Sequence, residues 1–324
     1  MPPPLANTTP DAPLLDPDDP WRGQSRLSAV AEFVAPILLA LCGLVTVLTT
    51  LGILAVLVVQ SVEFFAAAGI GVGDFLFGLE LRPGARPPRF GVLPLVWGTF
   101  LIAFGASCVA LPIGLLSAIY LSEYAPRGVR AVLKPTLELL AGVPSIVYGY
   151  LALLLVTPAL KAALEPLGLR VDHFNAVSAC LVVGMMIVPS VSSLSEDVLS
   201  AVPQGLREAA YGLGATKFEV STRIVLPAGL SGVAAAFILA VGRAVGETMA
   251  VVLAAGTMAR FTLNPLTSVE TMTTYIIQVV GGEASYGSPK YLSLFAVGLT
   301  LFAITLALNV LSNLVLRRYR EVYR

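Results

Sequence analysis

Six apolar runs, at about residues 34–60, 95–120, 136–159, 175–195, 230–256 and 291–316, leave this chain few ways to fold. Each is long enough for the roughly 20 residues that a helix needs to cross a bilayer core. Backbone N–H and C=O groups in lipid must be satisfied within the protein, which admits only helices and closed barrels. The runs are too long and too uniformly apolar for the alternating strands of a membrane barrel. With 56% hydrophobic residues, 12% charged residues and a mean hydropathy of +0.85, the chain is no ordinary soluble domain, in which about 25% of residues are charged. The expectation is an all-α integral membrane protein with six transmembrane helices.

Basic residues beside the spans set the orientation. With the N-terminus inside, one side collects Arg22, Arg26, Arg127, Arg130, Lys134, Arg207, Lys217, Arg223, Arg317, Arg318, Arg320 and Arg324. The other holds Arg82, Arg86, Arg89, Lys161, Arg170, Arg260 and Lys290. Twelve against seven predicts both termini in the cytoplasm. Cys42, Cys108 and Cys180 each fall within a span and read as packing residues, and His173, the lone histidine, cannot make a metal site by itself. Residues 1–20, rich in proline and aspartate, predict a disordered stretch within a cytoplasmic tail of residues 1–32. The first span and an external loop with Phe64, Phe65, Phe75 and Phe77 occupy 33–92, and this loop is either a loosely packed lid or a binding surface. The remaining spans fill 93–318, with a short external helix around 269–279, and 319–324 form a cytoplasmic end.

Between the fourth and fifth spans, Glu208-Ala209-Ala210-Tyr211-Gly212-Leu213-Gly214 is followed by Ile224-Val225-Leu226-Pro227. Pro203 can open a helix and Gly214 can close it. Thr216 and Glu219 have the spacing of a capping box, in which each side chain bonds the other's backbone N–H. The result is a cytoplasmic helix at 203–216, a glycine corner and a second helix. Ala209, Ala210 and Gly214 would admit a close partner surface, and Leu206, Ala210 and Leu213 would offer it an apolar stripe.

Within the spans, Arg243 and Glu247 are the ionisable groups nearest the middle, and such groups cost about 2.5–3.5 kcal/mol by insertion scales. Four residues apart on one helix, they are expected to face one another. Gly242 and Gly246 supply a Gly-x-x-x-Gly frame for a close helix. Arg243 can offer its planar guanidinium to a crossing anion, with Glu247 holding it and Thr248 adding a hydroxyl. A buried pair that only sets helix packing accounts for the same residues equally well. Pro144, Ser145 and Tyr148, in Gly142-Val143-Pro144-Ser145-Ile146-Val147-Tyr148-Gly149, predict a mid-membrane kink with either a gating or a structural use. Glu138, four residues after Lys134, reads as an interfacial ion-pair partner. No phosphate-cradling glycine loop is present, so ATP chemistry must belong to another chain.

Three segments carry a family resemblance: Leu139 to Gly149, Glu208 to Pro227, and Gly242-Arg243-Ala244-Val245-Gly246-Glu247-Thr248-Met249-Ala250-Val251. Over about residues 30–320 the chain resembles the PstC-type permease subunits of bacterial phosphate ABC importers. The resemblance implies the type-1 ABC importer permease fold in the bacterial inner membrane and a PstA-like permease partner. It further implies two PstB-like ATPase subunits that use ATP and Mg2+, and a PstS-like external phosphate-binding protein. It assigns ATPase coupling to Glu208, Ala209, Ala210 and Gly214, and translocation to Arg243 and Glu247, with no catalytic residue, cofactor or metal on this chain. Permeases for sulfate or molybdate would share the Glu-Ala-Ala corner, whereas an ATP-independent anion transporter would have no use for it.

Overall fold

The computed structural model describes residues 26–282 and 284–319. The expected disordered stretch 1–20 and most of the two terminal tails therefore lie outside the described residues. Residues up to Val56 form one unit and those from Leu57 onward another. The first helix, α1, runs Arg26–Ala68, and its side chains from Phe33 to Ile53 are exposed and almost all apolar. Its polar exceptions, Thr46, Thr49 and Thr50, donate their hydroxyls to the carbonyls of Cys42, Val45 and Thr46 one turn back, as lipid requires.

The second unit continues through α2 (Val72–Phe77) and a two-residue hairpin, β1 (Leu81–Arg82) with β2 (Arg89–Phe90), in which Leu81 pairs Phe90 and Arg82 pairs Arg89. The long α3 (Leu93–Ile119) ends in a π-helical turn at Tyr120–Tyr124. Then come α4 (Arg127–Ala141), α5 (Ser145–Leu151), α6 (Thr157–Leu164) and α7 (Ala176–Ser200). They are followed by α8 (Gln204–Gly212), α9 (Lys217–Glu219), α10 (Leu226–Ala228), α11 (Leu230–Gly246) and α12 (Met249–Ala255). The last elements are α13 (Met272–Gly281) and α14 (Pro289–Tyr319).

Among the described residues five helices are long and apolar enough to cross a membrane, and the pair 217–228 and 230–246, bent by 72°, makes six when it is counted as one span. The centre of the second unit is α3 against α7. Ala103, Ala106 and Ala110 bury against Ala179, Val183 and Met186, and small side chains are what let helices approach without a hydrophobic force between them. The fit is tight on both helices: a Cβ at Gly105 of α3 would sit 2.3 Å from Cys180 Sγ, and one at Gly184 of α7 would sit 2.8 Å from Val109 Cβ.

Three expectations need correction. The run 136–159 is not one span: Gly142 caps α4, Pro144 precedes α5, and the crossing helix is 145–167. A proline bars the preceding residue from the α region, so the break falls between two helices and is no mid-span kink. The run 230–256 is likewise interrupted, at Glu247-Thr248. The external loop is not a loosely packed lid. Phe64 stacks edge-on against Phe75 and Phe90, with ring centroids 5.6 and 5.2 Å away, whereas Phe77 is exposed.

The amphipathic α4 is tied to α7 by charge. Glu196, fully buried, accepts hydrogen bonds from Arg130, from Lys134 at 2.7 Å and from Ser200 at 2.8 Å. Lys134 also bonds Asp197, and these two carboxylates, Asp197 first, hold its ammonium above the usual lysine range. Its expected partner Glu138 is not among the ion pairs of the described residues.

Candidate functional site

The corner after α7 is built as the local residues dictate. Pro203 stands at the N-cap of α8, and Gly214, at φ +85°, turns the chain after its end. Thr216 Oγ1 accepts from the Glu219 N–H at 3.3 Å while the Glu219 carboxylate accepts from the Thr216 N–H at 3.0 Å, completing the capping box. The apolar stripe is divided: Leu213 is exposed, whereas the other two residues face inward. Ala210 is buried and Leu206 half-buried against the chain's own Ala118, Leu199, Val220 and Val225. The exposed side of the corner is formed by Glu208, Ala209, Gly212, Leu213 and Gly214, with Tyr211 and Phe218 exposed beside them.

Arg207, counted in the sequence only as a basic residue, anchors this helix. Its guanidinium donates to Glu123 Oε1 from Nη2 at 2.9 Å and from Nε at 3.2 Å, to the Leu199 carbonyl at 2.8 Å and to the Val202 carbonyl. The two side chains are 8% and 5% exposed. One side chain thus staples α8 to the ends of α3 and α7. Glu123 follows the second apolar run directly, and that position was the one sequence signal for this pair.

At the other candidate centre the helix carrying Arg243 stops too soon for the expected pair. Gly246 ends α11, Glu247 adopts an extended conformation, and α12 begins at Met249. Arg243 and Glu247 therefore do not share a helix face and form no ion pair among the described residues. Arg243 is exposed and donates from Nη1 to Ser190 Oγ of α7 at 2.9 Å. It lines a cavity of about 460 Å³ with Gly242, Asn309 and Ser312. Glu247 accepts from the Ala250 N–H at 3.3 Å, and its carbonyl accepts from Thr273 Oγ1 at 2.9 Å, so it organises the start of α12. Thr248 Oγ1 donates to the Gly246 carbonyl at 3.1 Å. No atom of the chain outside the local helix would meet a Cβ at Gly242 or Gly246, so the close helix expected there is not one of this chain's described helices. Of the suggested gating residues, Pro144 and Ser145 begin α5, and Tyr148 Oη reaches back over the break to the Leu140 carbonyl at 3.2 Å.

The corner yields a direct test. A β-branched residue at the left-handed Gly214 would strain the backbone by about 1–2 kcal/mol, or roughly 5–30-fold in the population of the formed corner. Gly214→Val should lower ATP-driven transport by that order, while Gly214→Asn, which tolerates this conformation, should retain most of it. Equal transport by both variants would show that the corner's shape is not used.

Comparison with known proteins agrees with this architecture. The family described as "Binding-protein-dependent transport system inner membrane component" matches residues 110–321. A probable ABC transporter permease protein YqgH of Bacillus subtilis is 31% identical, the alignment covering 82% of this chain and 84% of the relative. A phosphate transport system permease protein PstC of Xylella fastidiosa is 34% identical over 76% of this chain and 79% of its own length. Among solved structures, a chain of a bacterial alginate ABC transporter, 18% identical, superposes with a TM-score of 0.61 over 91% of this chain and 98% of its own. The family match over residues 110–321 and relatives above 30% identity thus show that this chain belongs to the binding-protein-dependent transport system inner membrane component family.

Proposed function

We propose that this chain is one of two permease subunits of an ABC importer that carries inorganic phosphate across the bacterial inner membrane. The observation that carries the reading is Arg243. It is an exposed guanidinium at a helix interruption, bonded within the described chain to a neutral hydroxyl alone, in a segment resembling the phosphate permeases. An unpaired planar cation at that depth suits a multivalent oxyanion. The open face at Gly242 and Gly246 is where a PstA-like partner helix would come close. Of two PstB-like ATPases, which bind ATP and Mg2+, one would seat on the exposed side of α8 and the other on the partner permease, and a PstS-like protein would deliver phosphate at the opposite end of α3. Glu247 and Thr248 shape the interruption around Arg243, and Ala210 supports the docking face from beneath.

The test is reconstitution of the copurified complex in liposomes with labelled phosphate. Import should require ATP and the binding protein and should resist excess sulfate and molybdate. Competition by either anion would assign the permease to that oxyanion, and import without ATP would overturn the coupled mechanism.

Orientation is tested separately. In a cysteine-free background, a cysteine replacing Leu213, 90% exposed, should react with an impermeant maleimide only in opened cells. One replacing Tyr286, 86% exposed, should react in intact spheroplasts. The reverse pattern would place the corner outside.

A further inference from the structure

At the end of α3 remote from α8, the hairpin, the segment before α13 and the start of α14 enclose a cavity of about 400 Å³. Its cations are Arg82 of β1, Arg260 of the connecting segment and Lys290 of the first turn of α14. All three are exposed, and none forms a salt bridge among the described residues. The same cavity is lined by Glu270, which is only 3% exposed and whose Oε1 has no hydrogen-bond partner among the described residues. Its backbone is fixed: the Glu270 carbonyl packs so tightly on Gly98 of α3 that a Cβ there would lie 2.2 Å away. Thr99 Oγ1 accepts from the Met272 N–H at 3.1 Å, holding the same segment from the other side. Tyr275 completes the wall, its hydroxyl paired with Ser293 Oγ at 2.7 Å.

We propose that this cavity is a binding site for a tetrahedral oxyanion of the phosphate class, separate from Arg243, with the three cations drawing the anion in and Glu270 donating a hydrogen bond to it. The inference rests on the phosphate reading for the identity of the anion, though not for the existence of the site. A buried polar group without a partner is costly, and a ligand that supplies the partner recovers that cost. Three cations without carboxylate partners among the described residues select an anion, and a buried group inside a cavity is reached by a small ion rather than by a protein surface. Burial pushes the Glu270 carboxyl up to about 8, so near neutrality it keeps its proton and can act as a donor. The charged and titratable groups facing it are Arg82, Arg260, Lys290 and Tyr275. As pH rises through about 8 the carboxyl ionises, the donor is lost and a repelling charge takes its place, so the anion is released.

The experiment places a trifluoromethyl-labelled cysteine at Met258, which lines the cavity and is 45% exposed, in an otherwise cysteine-free chain within the whole complex in nanodiscs. Fluorine NMR then reports titrations with phosphate and with sulfate. A saturable phosphate shift is expected, weakened at least about tenfold by Arg260→Gln with Lys290→Gln, two exposed positions whose loss should not disturb folding. Glu270→Gln keeps a donor and should bind within about threefold of the unchanged chain at neutral pH. It should also flatten the extra weakening that the unchanged chain shows above pH 8, and comparing the two at each pH removes phosphate's own titration. A complex that imports phosphate yet gives no saturable shift, or one indifferent to the cation and Glu270 variants, overturns the site and leaves the importer reading intact. A shift with sulfate and none with phosphate keeps the site and overturns the phosphate reading.

Discussion

Replacing Arg243 by methionine is expected to cut ATP-driven phosphate import at least about tenfold while leaving the yield of assembled complex nearly unchanged. A charge-assisted hydrogen bond to the anion is worth about 1.5–3 kcal/mol, a factor of roughly 10 to 150. Within this chain the side chain is exposed and makes one described bond, to Ser190, so little folding free energy is at stake. Arg243→Lys separates charge from geometry, since it keeps a cation and loses the flat fork. Import near that of the methionine variant would assign recognition to the fork, and import near the original would assign it to charge. Because Glu247 does not pair with Arg243, Arg243→Met combined with Glu247→Leu should not rescue transport. Glu247→Gln keeps an acceptor for the Ala250 N–H and should leave assembly intact. If the double variant imports phosphate at the original rate, the pathway does not run past Arg243.

The second large effect is expected at the staple beneath α8. Removing one partner of a buried ion pair leaves an uncompensated charge and costs about 3–5 kcal/mol. Glu123→Ala should therefore destabilise the complex severely, with Arg207 left 8% exposed and facing only carbonyls. Glu123→Leu with Arg207→Met replaces the pair by apolar bulk and should recover most of the thermal stability. It should not recover coupling, because α8 would then be held to α3 by packing without directed bonds. The ratio of ATP hydrolysed to phosphate imported should rise in the double variant. An unchanged ratio would mean that packing of Leu206 and Ala210 suffices to transmit the motion.

The six crossings could be read directly, because hydropathy over about 20 residues is a property of composition that lipid enforces regardless of packing. The Thr216–Glu219 box, Pro203 at a helix start and Gly214 in the left-handed region were equally legible, since capping and turn chemistry act over three or four residues. The failures fall at helix breaks. Four-residue spacing puts Arg243 beside Glu247 only if the helix is continuous, and the chain instead turns extended at Glu247, where Thr273 of a distant segment binds the freed carbonyl. Pro144 marked a break, but its depth depended on which helix crosses, and α4 lies outside the crossing because Arg130 and Lys134 must reach Glu196 of α7.

Local and compositional rules thus determined membrane residence, the number of spans, the glycine corner and the capped helix after it, because each arises from neighbours in sequence. Tertiary structure alone decided that Arg207 meets Glu123, that Ala210 faces inward, that Arg243 bonds Ser190 and that Glu270 is buried in a cationic cavity. Those placements join residues far apart along the chain, and no local rule fixes them because packing alone decides which distant groups come within reach of one another.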